Sequence, residues 1–163
     1  MNKRIALALV LIVSLVNDEA VVAQSSKPLY TAPLGIAPYT FRRSFPNSIP
    51  ATLDTIKMMG FTEIEGGGGR ISPGEYKKLC DEWGLSIPSF GAGYDHVVKH
   101  PDSVIWRAKI FGAKYVMVSW IPHKNGSFNF ENAKKAVDDF NAAGKILKEG
   151  GVTLCYHAHG YEF

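Results

Sequence analysis

Apolar positions along the chain fall into short clusters of two kinds, separated by polar stretches. One kind is a brief continuous run: Leu34–Tyr39, Phe61–Glu65, Leu85–Phe90, Ala113–Trp120 and Val152–His157. Runs of this length, rich in β-branched and aromatic residues, predict buried strands. The other kind repeats every three or four residues, the spacing of a helix face. Leu53, Ile56 and Met59 form one such stripe; Tyr76, Leu79, Cys80 and Trp83 form a second. Ile105, Ala108 and Phe111 form a third, and Ala133, Val137, Phe140 and Leu147 a fourth in a longer helix. Ser72-Pro73-Gly74-Glu75 opens the second helix as a capping box, with proline at the first helical position. Glycines follow the stripes at Gly60, Gly84, Gly112 and Gly150-Gly151. Each predicts a helix stop in the left-handed conformation that a side chain would oppose.

The resulting order is strand–helix repeated four times, then a fifth strand. Such alternation predicts parallel strands joined by right-handed crossovers. It leaves open a barrel or a doubly wound sheet, although no G-x-G-x-x-G follows the first strand. A closed barrel of eight units needs about 250 residues, and this chain has 163. The expectation is therefore the first part of a barrel, with four helices and about five strands, inactive by itself.

Composition narrows the class of partner. With 46% hydrophobic residues and a net charge of +3, the chain can build a core and shows no basic stripe that would imply nucleic acid. The N-terminus predicts export: Lys3 and Arg4 precede the apolar run Ile5 to Val16, and Val21-Val22-Ala23 offers a cleavage site. The run is shorter than the roughly 20 residues that span a bilayer. The expected organisation is a signal peptide over 1–23, a linker over 24–33 and one domain over 34–163. The mature protein would be periplasmic or secreted, without a membrane anchor. Cys80 and Cys155 fall on a helix and a strand, so they read as small buried side chains rather than a disulfide.

Polar chemistry is densest in Cys155-Tyr156-His157-Ala158-His159-Gly160-Tyr161-Glu162-Phe163. Alternation along a strand puts His157 and His159 on the same side, at the C-terminal strand end where parallel barrels place their active sites. Two imidazoles and the Glu162 carboxylate are borderline donors suited to a divalent metal. Glu65 closes the second strand ahead of Gly66-Gly67-Gly68-Gly69-Arg70 and is a candidate contact for sugar hydroxyls. Ser119, Trp120 and His123 follow the fourth strand, and the Trp120 indole offers a face on which a sugar ring can stack. His96 and His100 read as surface histidines.

Tyr156-His157-Ala158-His159-Gly160-Tyr161-Glu162-Phe163 resembles the Y-H-N-H-x-x-E-F signature of xylose isomerase-like sugar phosphate isomerases and epimerases. Leu34–Phe41 and Phe61–Glu65 resemble that family's first two strands. The resemblance implies a TIM barrel, present here as its N-terminal half, that takes a small sugar substrate. It also implies a divalent metal (Mn, Zn, Mg or Fe), for which His157, His159 and Glu162 would be ligands. Glu162 would serve as the catalytic carboxylate, and Glu65, Trp120 and His159 would contact substrate. The implied reaction moves a proton at a carbon next to a carbonyl. A lyase or hydratase acting on keto-glycosides, or a sugar-binding barrel without catalysis, are the alternatives. Ala158 stands where the family usually has Asn, on the side of the strand away from the histidines. A homo-oligomer is compatible with this composition.

Overall fold

Each predicted helix stop holds. In the computed structural model, which describes residues 30–67, 70–124 and 126–163, Gly60, Gly84, Gly112 and Gly151 all have positive φ. The signal peptide, most of the linker (residues 24–29), Gly68 and Gly69 lie outside the described residues. Residues 33–163 form one unit; of the segment before it, Tyr30, Thr31 and Ala32 are exposed.

Five parallel strands carry the fold: β1 (Gly35–Ile36), β2 (Glu63–Ile64), β3 (Ser89–Gly91), β4 (Tyr115–Val118) and β5 (Thr153–Tyr156). They are shorter than the apolar runs. The first run is cut at Pro38, which opens a 3-10 turn over Pro38–Phe41. The third is broken at Pro88, where the partner of Glu63 is Ser86 but that of Gly66 is Phe90. One extra residue sits on the β3 side, around a proline that has no N–H to donate. The strands consequently group as β1–β2 and β3–β4–β5, linked by those isolated bridges. The barrel is not closed among the described residues.

Five α-helices are described, where the pattern predicts four: α1 (Ile49–Met58), α2 (Pro73–Glu82), α3 (Tyr94–Lys99), α4 (Pro101–Phe111) and α5 (Phe130–Glu149). The additional one, α3, is separated from α4 by His100. A residue before proline is pushed out of the helical region, and His100 accordingly sits at φ −135°, ψ 51°. The predicted Ser72–Glu75 capping box is present, with the Ser72 N–H 2.9 Å from Glu75 Oε2 and the Glu75 N–H 3.2 Å from Ser72 Oγ. A second box, Asn129–Asn132, opens α5.

The sheet has one buried face. Along β4, Val116 and Val118 are buried, whereas Tyr115 is exposed and Met117 half-buried. The buried set meets the helices: Phe90 and Phe111 pack edge-on at 5.6 Å, and Tyr76 and Phe111 at 6.1 Å. Burying a side chain of this size contributes about 1.5–3 kcal/mol. The runs predict buried strands, but in this chain helices cover only one face of them. Two stripes shift for a related reason. The face of α5 turned to the core is Ala136, Phe140, Ala143 and Leu147, while Val137, one position off it, is exposed. In α1 the buried positions are Thr52, Leu53 and Ile56, and Met59 lies exposed past its end. Cys80 is buried, Cys155 is half-buried, and both are free thiols.

Candidate functional site

The open face presents what the strand ends carry. Register partners Gly91, Met117 and Cys155 form one row across β3, β4 and β5. His157 follows beyond β5, anchored by its N–H to the Val118 carbonyl at 2.9 Å. Its Nδ1 lies 3.2 Å from Met117 Sδ. A thioether only accepts, so Nδ1 carries the proton and Nε2 keeps its lone pair.

Glu65 comes from β2. Its N–H bonds the Ile36 carbonyl at 3.0 Å, and its side chain crosses β3 over Gly91. A methyl group on Gly91 would stand 3.3 Å from Glu65 Oε1. Burial lifts the Glu65 carboxyl above its ordinary value of 4.5, and the positive form of His157 draws it partly back. Glu65 and His157, from sequence-distant strands, therefore act on each other electrostatically.

His157 and His159 do lie on one side. Their rings stack with centroids 4.9 Å apart and planes 7° apart. That geometry bears on metal binding. An ion bound to an imidazole sits near the ring plane, about 2.0–2.1 Å from nitrogen. Nearly parallel, stacked planes meet far from both rings, so this pair does not share one ion as arranged. Glu162 points elsewhere as well. Its carboxylate accepts the His159 N–H at 2.9 Å and the Tyr156 hydroxyl, closing the short 3-10 turn Gly160–Glu162. Burial opposes its ionisation, but those two donors outweigh burial and hold the carboxyl below 4.5. The three residues do not fit a common ion in this arrangement, and no group of three His, Cys, Asp or Glu suited to a metal occurs among the described residues.

Trp120 joins the histidines through a residue that strand periodicity does not single out, Tyr161. Its ring lies 6.0 Å from His159, 4.8 Å from Trp120, 4.5 Å from His123 and 5.3 Å from Phe128. A wall of rings thus runs from His157 to Trp120. Behind it is a hydrogen-bond chain. The Ile121 N–H donates to the Tyr161 hydroxyl at 2.9 Å, that hydroxyl lies 2.8 Å from the Tyr156 hydroxyl, and Tyr156 donates to Glu162. Burial, with the hydrogen bond to Glu162, raises Tyr156 well above its ordinary value. The sequence signal for Tyr161 is only its place between His159 and Glu162. His96 and His100 lie apart from this wall on the α3–α4 junction, where His96 Nε2 is 3.2 Å from Ser103 Oγ.

Helices on one face and chemistry at the C-terminal ends of parallel strands define the class as part of an α/β barrel. Known structures share that architecture. A sugar phosphate isomerase/epimerase from Parabacteroides distasonis is 23% identical over 85% of this chain and 55% of its own, with a TM-score of 0.65. A xylose isomerase-like TIM barrel protein from Mycobacterium smegmatis in complex with magnesium is 14% identical over 77% and 55%, with a TM-score of 0.59. IolI with bound zinc is 15% identical over 79% and 52%, with a TM-score of 0.60. No family model and no curated protein matches the chain. The fold is that of part of a TIM barrel, and the chain spans about half the length of these structures.

Proposed function

We propose that this chain forms one side of the active site of an exported sugar isomerase or epimerase that moves a proton at a carbon next to a carbonyl. The observation that carries this reading is Glu65, a half-buried carboxylate that lies across Gly91, with a pKa raised by burial and within electrostatic reach of His157. A carboxylate whose pKa is raised above its ordinary value is a better proton acceptor from carbon than an ordinary one. His157 Nε2, with the ring oriented through Met117, stands as its polar counterpart. The half-exposed Trp120 indole gives a sugar an apolar surface to lie against.

Glu162, in this reading, holds the rim of β5 by its own hydrogen bonds and stands behind the site. A divalent ion belongs to the reading through His157 Nε2, the position at which this chain would meet one. Zinc and magnesium are bound in two proteins of the same fold. Export rests on residues 1–23, and a mature form beginning at Gln24 is its expected sign in mass spectrometry.

The test is solvent deuterium exchange into the carbon beside the carbonyl of D-xylose, D-fructose and D-glucose, using the protein at its natural full length. Exchange that is lost in Glu65→Gln and retained in Glu162→Gln supports the reading; full exchange in Glu65→Gln rejects it. A second reading, a sugar-binding barrel without turnover, is favoured by the histidine pair's failure to converge on an ion. Binding without exchange in the unmodified protein would establish it.

A further inference from the structure

His123 is held more firmly than its place in a loop requires. Its Nδ1 lies 2.7 Å from the Ile121 carbonyl oxygen. A carbonyl has no proton to give, so Nδ1 carries the hydrogen, and Nε2 of the neutral ring is left as an acceptor. The same residue is held on its other side, where the Ile121 N–H donates to the Tyr161 hydroxyl at 2.9 Å. The ring is flanked by Trp120 at 4.4 Å, Tyr161 at 4.5 Å and Phe128 at 5.3 Å. Neither its position nor its tautomer is free to drift. Nε2 has no hydrogen-bond partner among the described residues, and the neighbouring Trp120 indole is 47% exposed.

We propose that His123 reads a substrate hydroxyl: Nε2 accepts a hydrogen bond from a sugar whose C–H face lies on Trp120. The two features suit one ligand class. A pyranose or furanose ring has an apolar C–H face and a rim of hydroxyl donors, so a fixed acceptor beside an open indole fits both at once. Tyr161 is the positioning residue, because it contacts the His123 ring and holds Ile121, the residue whose carbonyl fixes the tautomer. This inference rests on the sugar-handling reading above and goes further by assigning one hydroxyl contact to one nitrogen.

The experiment uses the full-length protein with D-xylose, D-glucose and their mono-deoxy analogues as probes, followed by tryptophan fluorescence and by the 15N shifts of the His123 ring. His123→Phe keeps the stack and removes the acceptor. The expected results are about tenfold weaker sugar binding in His123→Phe, the scale of one lost neutral hydrogen bond, and one deoxy analogue that binds weakly to the unmodified protein but no worse than its parent to the variant. Equal affinity for the parent sugar in both proteins overturns the inference and leaves the sugar-handling reading standing. No sugar binding to the unmodified protein overturns both. If His123→Phe does not fold, the unmodified protein decides: a protonated Nδ1 with an Nε2 shift on sugar addition supports the contact, and an unmoved Nε2 overturns it.

Discussion

The two carboxylates at the rim, Glu65 and Glu162, follow opposite courses from the same chemistry. Glu65 is half-buried and lifted above its ordinary pKa by burial, with His157 drawing it partly back. Glu162 is held below its ordinary value by a backbone N–H and a tyrosine hydroxyl. A raised pKa suits proton transfer, whereas a carboxylate stabilised as an anion by fixed donors is a weak base and a good clamp. The difference shows that proximity to a histidine motif does not assign a role. The lone pairs already in use do.

Neutralising each carboxylate in turn separates their roles. Glu65→Gln should lower deuterium exchange by about 10²-fold or more, the scale of a lost general base. Glu162→Gln should retain most exchange while lowering the thermal midpoint. Equal losses of exchange would erase the distinction.

Tyr161→Phe tests the clamp alone. It removes the hydroxyl that receives the Ile121 N–H and meets Tyr156, while keeping the ring. A loss of about 1–3 kcal/mol is expected from leaving those polar groups without a partner, measured by chemical denaturation. An unchanged midpoint would show that the chain of hydroxyls is replaceable.

Stability against pH sharpens the contrast, because the two groups have opposite signs. Since Glu65 has a raised folded pKa, its favourable contribution is full below 4.5 and disappears as pH rises through the raised value. Glu162, with a depressed folded pKa, contributes above 4.5 and loses that contribution as pH falls through the depressed value. Glu65→Gln should therefore flatten the upper window and Glu162→Gln the lower one, read as denaturation midpoints across pH. The smallest expected effect is that of Gly91→Ala. Its methyl at 3.3 Å from Glu65 Oε1 asks the carboxylate to give by a few tenths of an ångström. A modest drop in exchange with little change in stability is the expected result.

Local rules made much of this legible. The Ser72 capping box, the glycine stops and the same-side histidines depend on neighbours within four residues, and all appear as read. What escaped the sequence depends on partners far along the chain. Val137 fits a helical stripe as well as Ala136 does until the sheet decides which face is covered. Tyr161 has no periodic signature and gains its place by meeting Trp120 and Ile121, about 40 residues away. The step of pairing at Pro88 requires knowing which residues of β2 lie opposite. Glu162 looks like a ligand in a string of letters because the string does not show that its oxygens face back onto Tyr156 and His159.

The parallel pairing of every strand has a consequence for how the protein reaches this state. No two neighbouring strands are joined by a hairpin; Tyr115 meets Thr153 only after the whole of α5 has been made and folded back. Contacts of such long sequence separation close late and slowly, because the loop entropy is lost before the pairing rewards it. During that interval the apolar edges of β3 and β4 stand open to other chains. Emergence from a ribosome or a translocation pore, which releases β3 and β4 well before β5, would lengthen the same interval.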